Sequence, residues 1–293
     1  MTVTLLDGGM SREIVAHGGV LTQPEWSARA LWDAPDAVVA AHRAFADAGA
    51  RVMTTNSYAL VPFHLGDGWS ETRARDLSGL AVRLARGGAG GAQVAGCLPP
   101  PMGSYRPDLF EPAAAEAVWR PLIDGQAADV DLWLAETLST VGEARLAARM
   151  VRDTGCPLWV AYTLLDDPNG PPRLRSGEPV PDAVAAARDA GAAAVLFNCS
   201  QPEVMGPAIR AASPAEGPVG AYANAFVRQH DDGTRDDANV VLSDVRVDLT
   251  IPAYADAAAS WVDDGAVIVG GCCGVGASHI AAVADRLGIS RSA

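Results

Sequence analysis

Residues 190–199 have the sequence AGAAAVLFNC, and this stretch contains the repeating unit from which the fold can be predicted. An alanine-rich segment with the 3.6-residue period of a helix precedes it and ends at a short Ala-Gly-Ala turn. An apolar run follows, as in a strand that is buried on both faces, and it ends at the polar residues Asn198 and Cys199. The order of helix, glycine turn, buried strand and polar end is typical of one unit of a parallel α/β fold.

The same unit recurs along the whole chain. Ala-Gly-Ala or Asp-Gly-Ala turns also precede apolar runs at 48–50 and 264–266, where they predict short helix-to-strand connections. The predicted strands are Val3–Asp7, Arg51–Asn56, Gln93–Leu98, Leu132–Glu136, Leu158–Thr163, Ala194–Cys199, Val219–Asn224 and Ala266–Gly271. The predicted helices are Pro35–Ala48, Ser70–Arg86, Pro112–Gln126, Thr140–Asp153, Pro181–Ala190, Glu203–Ala211, Pro252–Asp263 and Ser278–Leu287.

Eight strands that alternate with helices in 293 residues predict an α/β fold of the (β/α)8 or TIM-barrel type. A doubly wound sheet is the alternative, but it favours a Gly-x-Gly-x-x-Gly turn after the first strand, where this chain has Gly8-Gly9-Met10-Ser11. No low-complexity linker divides the chain, so we expect one domain over residues 1–293. The insertions at 11–33 and 225–250 are longer than ordinary connections, and we expect lids or binding loops there.

The composition excludes several kinds of chemistry and partner. All 22 basic residues are arginines, so neither a lysine Schiff base nor a phosphate-loop lysine exists. A net charge of −13 argues against nucleic acid and anionic membranes as partners. The five cysteines and the absence of a secretory signal argue against a disulfide framework. We therefore expect a cytoplasmic enzyme of small-molecule substrates, as a monomer or a small homo-oligomer.

Polar residues collect where the predicted strands end. In a (β/α)8 barrel the carboxyl ends of all strands lie on one rim, which is where active sites form. The strand ends carry Asp7-Gly8-Gly9, Thr55-Asn56-Ser57-Tyr58, Cys97, Glu136, Asn198-Cys199, Asn224 and Gly270-Gly271-Cys272-Cys273-Gly274. The strand interiors are apolar, so this concentration of ligating groups predicts a functional site on that rim.

Three of the five cysteines are expected to converge there. Cys272 and Cys273 follow two glycines at the end of strand eight, and Cys199 ends strand six. Thiolates favour zinc among common metals, and three protein ligands with an open fourth position are the catalytic arrangement. The alternative is three buried cysteines that act as small apolar residues. Cys97 is on the same rim but further away, and Cys156 begins strand five on the opposite rim.

Asp7 and Glu136 are predicted to contribute two carboxylates to the same rim. They suit a cation such as the ammonium of an amino acid, whereas backbone N–H groups of Gly8 and Gly9 suit a carboxylate. Together these four residues would hold an α-amino acid. The histidines show no ligand spacing, although His230 in the long loop could approach the site.

The motifs at these positions resemble those of one known family. They run from about Leu5 to about Ala282: Leu6-Asp7-Gly8-Gly9-Met10 with Glu13, Trp26-Ser27-Ala28, Ala48-Gly49-Ala50, Thr55-Asn56-Ser57-Tyr58, Ala135-Glu136-Thr137-Leu138, Asn198-Cys199, Tyr222-Ala223-Asn224 and Gly270-Gly271-Cys272-Cys273-Gly274. The chain is similar to the homocysteine S-methyltransferases, which include enzymes dependent on S-methylmethionine, S-adenosylmethionine or betaine. Asn-Cys with the later Gly-Gly-Cys-Cys-Gly is the most specific part of this resemblance.

The resemblance implies a role for each matched residue. Cys199, Cys272 and Cys273 correspond to the zinc ligands, and Asp7 and Glu136 correspond to residues that hold the amino group of homocysteine. The zinc-bound homocysteine thiolate would attack the methyl group of a sulfonium or ammonium donor and give methionine. Tyr58 matches a donor-site tyrosine of the betaine enzymes, and Trp26 and Tyr222 are further aromatic candidates for cation–π contact. Asn224, in the motif that ends strand seven, is a candidate substrate contact.

The chain departs from the family mainly at the donor side. After strand three it has the short loop Leu98-Pro99-Pro100-Pro101-Met102-Gly103-Ser104-Tyr105, and Cys97 and Phe197 replace smaller residues. These changes leave a different thiol acceptor or onium donor open as an alternative. A catalytically silent zinc barrel is a second alternative, favoured if Cys97 or His230 supplied a fourth ligand. A zinc hydrolase is disfavoured, because three thiolates make zinc a weak Lewis acid.

Overall fold

Eight parallel strands form one sheet in a computed structural model, which describes residues 2–213, 216–227 and 244–291. The strands are β1 (Thr4–Leu5), β2 (Val52–Thr54), β3 (Gln93–Leu98), β4 (Leu132–Leu138), β5 (Leu158–Tyr162), β6 (Ala194–Asn198), β7 (Val219–Tyr222) and β8 (Ile268–Val269). Each predicted strand is present. Most are shorter than predicted, although end residues such as Cys199 still form a backbone hydrogen bond to the neighbouring strand.

The sheet closes on itself as a barrel. Neighbouring strands pair in the order β1-β8-β7-β6-β5-β4-β3-β2, and a parallel bridge between Leu6 and Val52 joins the two ends. In the pairing of β1 with β8, Thr4 lies opposite Ile268 and Leu5 lies opposite Val269. The predicted (β/α)8 architecture is therefore confirmed, and the doubly wound alternative is wrong.

The part of the chain that the structure describes contains eleven α-helices. They are α1 (Met10–Ala16), α2 (Ala30–Asp33), α3 (Pro35–Asp47), α4 (Pro62–Leu65), α5 (Glu71–Gly88), α6 (Pro112–Gln126), α7 (Val141–Val151), α8 (Val180–Asp189), α9 (Pro202–Ala212), α10 (Ile251–Asp263) and α11 (Ala277–Arg286). All eight predicted helices are present, with ends that differ from the prediction by at most two residues. None of the described helices is long and apolar enough to span a membrane.

The core has two layers because each strand is buried on both faces. Side chains such as Leu134, Leu196 and Ile268 fill the barrel interior, and the opposite strand faces pack against the helices. Alanines line the helix faces that meet the sheet, which lets the helices approach the barrel closely. The expectation of one domain over residues 1–293 stays a prediction.

Strand β4 continues past its predicted end. Its pairing with β5 shifts register between Ala135 and Leu138, and Thr137 has a φ of 59°. Such a bulge re-aims side chains next to a site. Glu136 lies within this bulge, between the two residues that bound the register shift.

Candidate active site

A cavity opens at the carboxyl-terminal rim, where sequence analysis predicts the site. It is lined by Glu136 of β4, by residues at or just after the carboxyl ends of β1, β2, β6, β7 and β8, and by the loop after β3. Asp7, Glu136, Cys199, Cys272 and Cys273 all line this one cavity. The predicted acidic and thiol groups therefore meet.

The three cysteine sulfurs form a compact cluster. Their Sγ atoms lie within 4.8 Å of one another, and no other comparable group of metal-ligating side chains occurs among the described residues. The Cys199–Cys273 separation is 3.8 Å, and the Cys199–Cys272 separation is 3.0 Å. Tetrahedral zinc with Zn–S bonds of about 2.3 Å requires sulfurs about 3.8 Å apart, so the cluster fits this ion after a small separation of one pair.

The sulfurs differ in their proton affinity. Hydrogen bonds from the Cys272 and Cys273 thiols hold the pKa of Cys199 well below its ordinary value, although burial opposes this. Donation to Cys199 raises the pKa of Cys272 and Cys273 in turn. The cluster thus consists of one thiolate that accepts hydrogen bonds from two thiols. A metal cation that binds there would displace the protons of these two thiols.

The backbone of the Gly270–Gly274 turn separates the two adjacent cysteines. Cys272 donates its N–H to the carbonyl of Ala223, while the carbonyl of Cys273 accepts from Ala225. Gly274 has a φ of 83°, a left-handed conformation that glycine adopts without strain. Both hydrogen bonds fix the turn against the loop after β7, and in this turn the two adjacent thiols reach the same cluster.

Asp7 is buried beside β2. Its carboxylate accepts the backbone N–H of Thr54 at 2.6 Å and the hydroxyl of the same residue at 3.1 Å. Burial raises the pKa of Asp7 to about 8, although both hydrogen bonds lower it. A carboxylate held in this environment gains strongly from a cation that reaches the cavity.

Glu136 is the second buried acid. Its two oxygens accept one hydrogen bond each at 3.1 Å, from the Cys97 thiol and from the Tyr222 hydroxyl. Burial raises the pKa of Glu136 to about 7. The negative charge of Glu136 also raises the pKa of Asp7, so a cation between the two acids would relieve both.

Gly9 differs from its predicted role. Its N–H donates to the carbonyl of Val275 at 2.8 Å, so this amide is not offered to a substrate carboxylate. A Cβ at Gly9 would lie 2.6 Å from the Cys272 carbonyl, which makes close packing the reason for glycine here. Gly8 also lines the cavity and keeps its place as a candidate carboxylate contact.

The remaining candidates from the sequence are Cys97, Asn224 and His230. The Cys97 thiol bonds Glu136 and does not join the cysteine cluster, so it does not close the fourth ligand position. The side chain of Asn224 accepts hydrogen bonds from Gln201 and from the amide of Phe226 and is fully buried, so it shapes the loop after β7. His230 and most of the predicted loop 225–250 lie outside the described residues.

Aromatic side chains form the remaining wall. Trp26, Tyr58 and Tyr222 line the cavity as predicted, and Tyr105 and Phe226 join them. The hydroxyl of Tyr58 lies 2.7 Å from that of Ser104 in the loop after β3. Burial raises the pKa of Tyr58 well above its ordinary value, which keeps the phenol neutral.

Sequence reasoning missed Tyr105, Phe226 and Arg12. Arg12 is the one cation among the described residues that line the cavity, and its guanidinium lies 5.7 Å from the centre of the Phe226 ring. Arg12 lies two residues after Met10 of the first motif, and this closeness to a rim motif could have identified it as a site residue. Nothing in the sequence pattern indicates the folding back of the loop that carries Tyr105.

A (β/α)8 barrel that gathers three thiols, two buried acids and an aromatic wall on its carboxyl-terminal rim defines an enzyme of thiol chemistry. The chain belongs to the homocysteine S-methyltransferase family, since the model of that family matches residues 4–287. The predicted family and enzyme class, which methylates homocysteine, are therefore confirmed.

Individual relatives agree with this assignment. Homocysteine S-methyltransferase 1 of Brassica oleracea var. italica is 25% identical over 319 residues, covering 97% of this chain and 93% of that protein. The homocysteine S-methyltransferase of Escherichia coli K12 is 31% identical over 206 residues, or 62% of this chain and 64% of that protein. The metallated form of the Escherichia coli homocysteine methyltransferase MmuM has a TM-score of 0.79 at 27% identity, covering 98% and 96% of the two chains.

Proposed function

We propose that this protein is a zinc-dependent enzyme that transfers a methyl group from a small sulfonium or ammonium donor to L-homocysteine and yields methionine. The observation that carries the proposal is the meeting of three thiols within 4.8 Å of one another in the same cavity as two buried acids. The thiols suit a soft metal, and the acids suit the amino group of the acceptor.

Zinc is the metal that the donor set favours. Three sulfur ligands select zinc over magnesium, calcium or manganese, which prefer oxygen. All three cysteines line the cavity, so a fourth ligand can come from a bound substrate. Bound at these residues, zinc would lower the thiol pKa of homocysteine and keep its sulfur as a nucleophile.

Asp7 and Glu136 are proposed to hold the amino group of homocysteine. Both are buried, and in both the pKa is raised mainly because burial removes water from the carboxylate. An ammonium group there would restore their charge and form charge-assisted hydrogen bonds. The acceptor would then be oriented by its amino group at one end and its sulfur at the other.

The aromatic wall is proposed to receive the donor. Trp26, Tyr58 and Phe226 offer ring faces, which attract sulfonium and quaternary ammonium groups. The acidic residues and the cysteines make the cavity electronegative, and this also favours a cationic donor. Arg12 at the same cavity supports a donor that carries a carboxylate in addition to its onium group. The protein then contributes orientation and exclusion of water, without a general base.

A methyl-transfer assay tests the proposal. Zinc-loaded protein and homocysteine would be combined with S-methylmethionine, S-adenosylmethionine, dimethylsulfoniopropionate or betaine, and methionine would be measured. We expect methionine from at least one donor, loss of activity with a chelator, and recovery with zinc. Absence of methionine from every donor, with zinc shown to be bound, would contradict the proposal.

A further inference from the structure

Cys199 has an unusual backbone conformation for a residue that bears a side chain. Its φ is 51°, in the left-handed region, where a Cβ crowds the backbone. Its carbonyl accepts a hydrogen bond from the Tyr105 hydroxyl at 3.2 Å and another from the Thr163 hydroxyl at 3.5 Å. Such a conformation persists only where the surroundings hold it, so the groups that contact this residue have a task.

The two residues that follow Cys199 are held as well. The Ser200 hydroxyl accepts the backbone N–H of Leu164 at 2.8 Å. The backbone N–H of Gln201 donates to Asp166 at 2.8 Å. The loop between β5 and α8 therefore holds the turn after β6 through side chains.

Asp166 also joins this turn to Tyr105. Its other carboxylate oxygen lies 2.9 Å from Arg175, and the two side chains are only 1% and 4% exposed. The Arg175 guanidinium lies over the Tyr105 ring, 4.9 Å from the ring centre. Tyr105, Asp166 and Arg175, here termed the Cys199 clamp, thus form a closed set of contacts around residues 199–201.

We propose that Tyr105 is a positioning residue for the metal ligand Cys199, and that the buried Asp166–Arg175 pair holds Tyr105 in that role. The inference rests on the proposed zinc function and extends it to residues that no sequence motif indicates. It also gives the short loop after β3 a purpose, because that loop carries Tyr105 to the carbonyl of Cys199.

The physical reason lies in the direction of the Cys199 side chain. If its carbonyl loses the phenolic donor, only the longer 3.5 Å bond from Thr163 remains, so we expect the residue to relax from the left-handed region and its sulfur to turn away from Cys272 and Cys273. A cation over the ring favours the orientation of Tyr105 through cation–π attraction. A buried ion pair contributes little net stability to a fold. The role of the Asp166–Arg175 pair is therefore better explained by its hold on Tyr105 than by stabilisation of the barrel.

The test compares two tyrosines with equivalent hydrogen bonds. Tyr105→Phe removes only the hydroxyl and keeps the ring beneath Arg175. Tyr162→Phe is the matched control, because the Tyr162 hydroxyl also donates to a backbone carbonyl, that of Ala183, at 3.2 Å in a buried position. Zinc affinity would be measured by chelator competition without substrate, and cobalt(II) absorption would report the thiolate ligands.

We expect Tyr105→Phe to weaken zinc binding about 10- to 100-fold, as removal of groups that orient ligands usually does, and to reduce the cobalt–thiolate absorption. Tyr162→Phe should leave both unchanged at a similar melting temperature. Equal zinc affinity in the two variants would overturn the proposal, because Tyr105 would then be only a structural residue.

A double-mutant cycle tests the role of the ion pair. Arg175→Lys keeps a charge beside Asp166 but loses the planar contact with the Tyr105 ring. We expect it to weaken zinc binding in the wild-type background and to have little further effect in Tyr105→Phe, because both changes act through one hydrogen bond. Additive effects would show that Arg175 does not act through Tyr105.

Failure of the proposed function would be recognised separately. If the wild-type protein bound neither zinc nor cobalt, the metal assignment would fall. The clamp would then be judged by the alkylation rate of each cysteine with iodoacetamide, followed by mass spectrometry. A selective change at Cys199 in Tyr105→Phe would support the clamp, and an unchanged rate would overturn it.

Discussion

The two ends of the barrel use the left-handed backbone region in different ways. At the amino ends of β2, β6 and β8 it is taken by Gly49, Gly191 and Gly265, with φ of 107°, 98° and 114°. At the carboxyl-terminal rim Gly274 also takes it, with a φ of 83°, but so do Tyr105, Thr137 and Cys199, with φ of 63°, 59° and 51°. Glycine adopts this region freely, whereas the other residues do so at a cost in stability. One end is therefore built for stability and the other for the placement of side chains.

The acids at the two ends of the barrel show the same contrast. Asp131, before β4 at the amino-terminal end, lies 2.7 Å from Arg86, and this bond lowers its pKa. Asp7 and Glu136 at the other end form no ion pair among the described residues, and burial raises the pKa of both. An acid whose charge is compensated stabilises the fold, and an acid kept without a partner is available to a ligand.

The largest expected effect comes from the cysteine cluster. Cys199→Ala or Cys272→Ser removes one of three sulfur ligands, so zinc content and methyl transfer should fall more than about 100-fold while the barrel remains folded. Metal analysis, activity and a circular-dichroism melt measure this. Cys156→Ser is the control, since its thiol only contacts the Val130 carbonyl at the opposite end. Full activity in either cluster variant would remove the metal assignment.

Asp7→Asn tests the cost of an uncompensated acid. The folded pKa of Asp7 is about 8 against a usual value of 3.8, so its contribution to stability is present below pH 3.8 and is lost as the pH rises through 8. Without a charge, Asn can accept the Thr54 N–H with its amide oxygen and donate from its amide nitrogen to the Thr54 hydroxyl oxygen. The variant without substrate should therefore exceed the wild type in unfolding free energy near pH 8, by about 3 kcal/mol, and the two should converge near pH 4.

Asp131→Asn is the opposite control in the same pH series. The pKa of Asp131 is lowered, so its contribution is present at neutral pH and is lost as the pH falls. This variant should lose less than about 1 kcal/mol at pH 7, because the ion pair is partly exposed. If Asp7→Asn were also destabilising at pH 8, the contrast between the two acids would be wrong.

Glu136→Gln tests the amino-group site. Loss of one charge-assisted bond to the substrate should raise the KM for homocysteine about 10- to 100-fold, which corresponds to about 1.5–3 kcal/mol, with little change in the KM for the donor. Steady-state kinetics with each substrate varied in turn measure this. Glu143→Gln is a fitting control, since Glu143 is also buried with a pKa of about 7 but caps α7 through Thr140. Its melting temperature should fall while its KM values stay the same.

The contrast between the ends also explains what the sequence could predict. The amino-terminal turns follow from composition, because Gly49, Gly191 and Gly265 mark them and no long-range contact is needed. The cysteine cluster was predictable because barrel closure brings the ends of β6 and β8 to one rim. These are consequences of local pattern and of topology.

Other features depend on contacts that local pattern does not encode. Tyr105 reaches Cys199 only because its loop folds over the rim, and Gly9 donates to Val275 across two elements. The bulge in β4 was also missed, since Thr137 carries no sequence signal for a positive φ. Such features arise from tertiary constraints that override the local preference of each residue.

Gly191→Ala, with a modest expected effect, tests the glycine turns themselves. Among the described residues, no heavy atom beyond the two chain neighbours lies within 4 Å of the position that a Cβ would take at Gly191, so we expect Gly191→Ala to act mainly through the backbone energy. We expect a loss of about 1–2 kcal/mol of unfolding free energy, measured by denaturant titration, with unchanged activity. Gly87→Ala in α5 should have the opposite sign, because its Cβ would meet Val39 at an ordinary 3.6 Å and alanine favours a helix by about 1 kcal/mol. If both variants were neutral, glycine at the amino-terminal end would not be there for its backbone, and the distinction between the two ends would rest on the active-site residues alone.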